Sequence, residues 1–129
     1  MVERVEENPK TLRLVAEFHI LGLPQMTNSI GRSLWSKKFK EARKWKSLVF
    51  THCLKAKITQ LELNRAVLTL TRHSTKEPDF DGLVSGFKHV IDGLVEAKVI
   101  ISDKPSVLEG TTYRWEKRKA GGVTIRIQA

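Results

Sequence analysis

The chain has 129 residues, a formal net charge of +9 and a sequence pI near 9.9. That length suits one domain closed around one core, and the 40% of apolar and aromatic residues excludes a disordered or collagen-like chain. No apolar run approaches the roughly 20 residues that cross a bilayer, the single Cys53 excludes an internal disulfide, and the opening stretch Met1 to Lys10, with Glu3, Glu6 and Glu7, lacks a signal-peptide pattern. The expectation is a single domain over residues 1–129, with 1–10 a flexible lead-in, in a reducing, cytoplasmic setting and with no membrane partner.

In chain order, Thr11 to Leu23 alternates Leu12, Leu14, Ala16, Phe18 and Ile20 with Arg13, Val15, Glu17 and His19, the period of two of a half-buried strand. Gly22 and Pro24 end it, and a loop runs to Gly31. Ser36 is placed to cap a long helix reaching about Ala56. On it Phe39, Ala42, Val49 and Cys53 form one apolar stripe with Trp45 and Leu48 at its edges, and lysines and arginines cover the rest. Cys53, on that stripe, reads as a core residue, and buried packing is the expected role of Trp45.

Leu61 to Arg72 reads as a second strand. Leu83 to Ala97 follows the helical template through Leu83, Val84, Phe87, Val90, Ile91, Leu94 and Val95. Thr111 to Lys117 and Gly122 to Gln128 read as a C-terminal hairpin turning at Arg118 to Gly121. The order predicts an α+β fold: a mixed β-sheet packed with two helices and ending in the hairpin.

The charge is uneven. Between Arg32 and Lys57, nine basic residues face one acid, Glu41, for a local net charge of +8. A face so lopsided suits a phosphate backbone, through neutralisation and counterion release; a solvated helix face is the plainer alternative. The candidate backbone contacts are Lys37, Lys38, Lys40, Arg43, Lys44 and Lys46 of the helix, with Lys117, Arg118 and Lys119 of the turn. Such contacts position a nucleic acid without reading its sequence. The histidines His19, His52, His73 and His89 have no metal-ligand spacing.

A second constellation is acidic. Asp79 and Asp81, one residue apart, lie on the same side of an extended chain, where like charges repel unless a cation sits between them. Oxygen-only donors suit a hard divalent ion such as Mg²⁺ or Mn²⁺. Lys88 follows Asp81 by about two helical turns, and Asp92 follows Lys88 at i+4. If the apolar stretch after the helix pairs beside the strand preceding Asp79, Asp103 arrives beside the aspartate pair. Each residue also has a plainer role: Asp79 and Asp81 as turn and cap, Lys88 as a partner for Asp92, Asp103 as the start of a turn at Lys104-Pro105.

The order Asp79-Phe80-Asp81-Gly82-Leu83, Gly86-Phe87-Lys88, Ile91-Asp92-Gly93-Leu94 and Val99-Ile100-Ile101-Ser102-Asp103 resembles the acidic segment of the RusA family of Holliday-junction resolvases. Gly22-Leu23-Pro24 through Asn28 is similar to that family's loop after its first strand, and Tyr113 through Ile127 to its C-terminal strands. Gly82, Lys98 and Ser102 depart from the family pattern, which commonly has asparagine, glycine and a further aspartate there. The resemblance implies a homodimeric endonuclease of a bacterial or phage-infected cell that cuts four-way junctions and other branched DNA. It implies Mg²⁺ (or Mn²⁺) and no organic cofactor, with Asp79, Asp81 and Asp103 as metal ligands and Lys88 needed for cleavage. A basic nucleic-acid binder without catalysis, or a relative that binds junctions but does not cut, is the competing expectation.

Overall fold

The computed structural model describes residues 12–25 and 35–129; the lead-in 1–10 and the loop residue Asn28 lie outside them. Its elements are β1 (Leu14–Leu21), α1 (Trp35–Lys55), β2 (Val67–Ser74), α2 (Phe80–Gly86), α3 (Lys88–Glu96), β3 (Thr112–Lys117) and β4 (Gly122–Gln128). The strands form one mixed sheet in the order β1-β4-β2-β3. β4 runs antiparallel to β1 and β2, while β2 and β3 are parallel. This is the expected α+β architecture. Alternation sorts the two faces: Leu68, Leu70, Val123, Ile125 and Ile127 are buried under the helices, and Thr69, Thr71, Thr124 and Arg126 lie on the other side.

The C-terminal strands form the expected hairpin, consecutive, antiparallel and joined by the short turn 118–121, with β2 lying between them. β2 is buried along most of its length and takes a position bonded on both edges. Two local expectations are corrected. The second strand starts at Val67, not Leu61. Gln60 to Leu63 instead bond the stretch after α3, through Glu62 N–H to Lys98 O (2.7 Å), Leu63 N–H to Val99 O (2.9 Å) and Ile101 N–H to Leu63 O (3.0 Å). The helix expected over Leu83 to Ala97 is two helices, broken at Phe87 (φ −96°, ψ 3°). Gly86 holds the helix weakly there, and Phe87 is buried with its ring 6.1 Å from that of Tyr113.

α1 buries Trp45, Val49 and Cys53 completely. Burial pushes the Cys53 thiol up to about 11, as expected of a core cysteine. Phe39, placed on the same stripe by its spacing, is 48% exposed. At about 100° per residue it sits roughly 80° away from Val49, on the flank of the buried face. Ser36 lies inside the helix, which has already begun at Trp35. Glu41, the one acid of the basic segment, is structural: its Oε2 accepts the indole N–H of buried Trp45 (3.0 Å) and the backbone N–H of Gln25 (3.0 Å).

The two longer helices end alike. At α1, Ile58 N–H bonds Cys53 O (3.1 Å) across Lys57 (φ 59°); at α3, Val99 N–H bonds Leu94 O (3.0 Å) across Lys98 (φ 61°). Both are the six-to-one closure with a left-handed residue that favours glycine. Between the helices, a Cβ added to Gly93 would meet Val49 Cβ at 3.0 Å and the Lys46 backbone at 3.2 Å. No helix among the described residues is long and apolar enough to cross a membrane.

Two stability changes follow. Gly93→Val forces α1 and α3 apart and is expected to cost about 2 kcal/mol or more. Lys98→Gly relieves a left-handed side chain and is expected to stabilise by about 1 kcal/mol. Urea denaturation of the purified chain measures both; a neutral Gly93→Val would overturn the tight approach, and a destabilised Lys98→Gly the strain argument.

Candidate functional site

A cleft of about 370 Å³ opens between α2, α3 and the segment leading into β3. Its polar lining is Ser85, Lys88, Asp92, Asp103, Thr111 and Tyr113, and Val84, Ile91 and Leu108 form its apolar wall. α3 therefore has two working sides. Gly93 faces α1, while Lys88 and Asp92, a turn apart, face the cleft. Lys88 Nζ lies 3.6 Å from Asp92 Oδ2, the i, i+4 pair expected from the spacing. His89 is half-buried behind them, with Nδ1 3.9 Å from the same oxygen.

The acidic residues are brought to the cleft unequally. Asp103 reaches it because the chain after α3 bonds Gln60 to Leu63 and then turns at Lys104 to Leu108. That route differs from the expected one beside β2. Ser102, where the resembling family commonly has a further aspartate, accepts the Lys104 N–H on Oγ (3.0 Å) and so starts the turn. Asp79 and Asp81 do not line the cleft. Nor do they lie along an extended chain: Asp79 is extended (φ −73°, ψ 167°) and caps α2, Oδ1 accepting Gly82 N–H at 2.8 Å. Asp81 is already in the helix's first turn, where its charge favours the N-terminus. It stands one turn before Ser85, about 5–6 Å along α2. Asp81 and Asp103 are exposed and make no hydrogen bond or ion pair with the described residues.

As donors, these carboxylates fit a hard divalent cation. Among the described residues, no three His, Cys, Asp or Glu side chains stand together as a group. Asp79 keeps one oxygen in the cap, and Asp103 lines the cleft from the segment after α3.

The basic candidates also divide. Lys37, Lys38, Lys40 and Lys44 are exposed on α1, as are Lys117 and Lys119 at the end of β3. Three others are engaged. Arg43 lies over the Phe39 ring at 5.7 Å. Lys46 Nζ pairs with Glu96 at 2.7 Å, and the Glu96 hydrogen bond raises its pKa. Arg118 pairs with Glu116 at 3.1 Å.

Ser85, Thr111 and Tyr113 complete the lining and were not singled out by spacing. Ser85 could have been, at i+4 from Asp81 and i−3 from Lys88; Tyr113 and Thr111 carry no such signal, because the long connection from α3 brings them there. Two further polar groups lie apart. Arg72 is buried with no carboxylate partner among the described residues, donates to Pro24 O at 3.0 Å, and has its pKa lowered by burial. His73 sits on the open sheet face, Nε2 2.7 Å from Thr124 Oγ1 and Nδ1 3.0 Å from Glu116 but not aligned with it as a hydrogen bond. Burial, then the Arg118 charge, lowers its pKa. Trp45 is buried, and Trp115 donates to Ser74 Oγ at 3.0 Å.

The chain matches no protein-family model, and no curated protein matches it.

The two aspartates at the head of α2 are separable by stability. Asp79→Ala is expected to cost about 1 kcal/mol through loss of the cap, and Asp81→Ala only a few tenths through the helix dipole. Thermal unfolding of the two variants measures the difference; equal losses would remove the cap from Asp79's roles.

Proposed function

We propose that the chain is a metal-dependent, structure-specific endonuclease of the RusA type, which resolves four-way DNA junctions by symmetric phosphodiester cleavage as a homodimer. The observation that carries this reading is the cleft lined by both Lys88 and Asp103 beside α2, which Asp79 caps and whose first turn holds Asp81. The Lys88–Asp92 pair and the unpaired Asp103 on one open cleft, in a chain of net charge +9, suit a phosphodiester approached by a divalent ion. Lys88 is held at the rim by Asp92 and can meet a phosphate oxygen and the charge that builds on it during cleavage. The exposed lysines of α1 and of the 117–119 turn supply backbone contacts that hold the duplex arms. Mg²⁺, with Mn²⁺ as an alternative, is the cofactor of this reading; Asp79, Asp81 and Asp103 are its donors.

A second reading has its own support. The three carboxylates form no close group among the described residues, and the exposed lysines of α1 suit a protein that binds junctions or other nucleic acid without cutting.

One experiment separates them: a labelled four-way junction with Mg²⁺ or with chelator, beside linear duplex of the same sequence. The nuclease reading expects paired symmetric nicks in the junction only with metal. Asp79→Asn, Asp81→Asn and Asp103→Asn should then lose cleavage but keep binding, and Lys88→Ala should slow it about 10²-fold or more. Tight binding without nicks would give the second reading, and undiminished cleavage in all three aspartate variants would remove the assigned site.

A further inference from the structure

The cleft has a wall that phosphate chemistry alone does not require. Val84, Ile91, Leu108 and Tyr113 line it and are half-buried. Three of them, Ile91, Leu108 and Tyr113, also pack against the core, so the wall is part of the folded domain. A phosphodiester and a hydrated cation gain nothing from apolar surface, whereas a flat apolar group does. Asp79 and Asp81 stand at the head of α2, outside the cleft. Its volume of about 370 Å³ is that of a small-molecule site.

The polar groups beside this wall narrow the occupant further. Lys88 is 67% exposed and its Nζ lies 3.6 Å from Asp92 Oδ2, so its charge is oriented but open to an anion. Asp92 Oδ2 also faces His89 Nδ1 at 3.9 Å, while Oδ1 makes no hydrogen bond or ion pair with the described residues. An ionised carboxylate only accepts, so from the cleft Oδ1 can take an N–H or O–H donor.

An anion, an apolar plane and an N–H donor in one small molecule describe a nucleotide. Its phosphate suits Lys88, its base faces suit the wall, and the exocyclic amino group of cytosine, adenine or guanine suits Asp92. Thymine offers instead a ring N–H flanked by two carbonyl oxygens, which a carboxylate repels. A paired base has its edge engaged and its faces stacked, so entry needs an unpaired nucleotide.

We propose that the cleft between α2, α3 and the segment entering β3 is a subsite for one unpaired nucleotide, with its base against Ile91, Leu108 and Tyr113, its phosphate at Lys88 and its amino group at Asp92. This rests on the nucleic-acid reading for the class of ligand, but it is tested without metal and without cleavage.

Methyl-resolved NMR spectra of the full chain in chelator, titrated with deoxycytidine, deoxyadenosine or thymidine monophosphate or with deoxyribose phosphate, test it. The Val84, Ile91 and Leu108 methyl signals should shift with the first two in the roughly millimolar range. Binding should be at least about threefold weaker for thymidine monophosphate and about tenfold weaker for deoxyribose phosphate, which has no base. Lys88→Gln should weaken all the nucleotides by about threefold or more and keep their order. Asp92→Asn should abolish the discrimination against thymidine, because an amide also donates; a merely loosened Lys88 would not change that ratio. Unmoved methyl signals at roughly 20 mM nucleotide would overturn the inference. So would deoxyribose phosphate binding as tightly as the nucleotides, or discrimination that survives Asp92→Asn. Nucleotide-induced shifts in a chain that leaves junctions uncut would keep the subsite and remove the nuclease reading; junction cleavage with unmoved methyl signals would do the reverse.

Discussion

The contact between α1 and α3 at Gly93 fixes the rest of the layout. Backbone meets side chain there: a methyl group on Gly93 would stand 3.0 Å from Val49 Cβ and 3.2 Å from Lys46 Cα. That closeness lets Trp45 and Val49 of α1 share one core with Val90 and Leu94 of α3 over Leu68, Leu70 and Ile125. It also sets the rotation of α3. With Gly93 turned to α1, Asp92 and Lys88 are turned to the cleft, and the Lys46–Glu96 pair spans the two helices at their edge. Helix packing and the chemistry of the cleft are thus settled by one rotation.

At the head of α2 two demands compete for the same carboxylates. A short helix broken at Phe87 has four unsatisfied N–H groups and little length to stabilise it, so a cap matters more there than on α1. Asp79 meets that demand through Gly82, and Asp81 adds charge in the first turn. A cation would draw on the same oxygens. Asp79 has a second oxygen to offer while its first stays in the cap, and Asp81 is exposed with no described partner. Capping and metal ligation are compatible for this pair, and Asp103 arrives from a different segment of chain.

Much of this was legible in the sequence, for reasons that differ from element to element. Strong period-two and period-3.6 patterns marked β1, α1 and the α2–α3 region, and the spacing of Lys88 and Asp92 gave their ion pair. Long-range effects were not legible. Whether Leu61 to Leu63 extends β2 or bonds the chain after α3 depends on tertiary pairing, and so does the insertion of β2 between the two C-terminal strands. Phe39 shows the limit of a helical stripe: its spacing is within one helical face of Ala42 and Val49, and only the position of α3 decides which side of that face is covered. The glycine-favouring conformation of Lys98 was not visible at all, since a lysine carries no signal for positive φ.

The charge of α1 can be sorted in the same terms. Lys46 serves α3, Arg43 serves Phe39, and Glu41 serves Trp45 and Gln25. Lys37, Lys38, Lys40, Lys44 and Lys55 remain; Lys37, Lys40 and Lys44 are spaced three and four apart, where like charges raise the energy of the helix by a few tenths of a kcal/mol per pair. No carboxylate on α1 offsets them, because the one it has is turned to the indole. A polyanion laid along this side would remove that repulsion and release its own counterions, so its binding and the stability of α1 would rise together. An isolated exposed ion pair contributes too little to act in its place. Among the described residues, the basic side of α1 is therefore a run of charge that no carboxylate offsets, and it stands clear of the cleft.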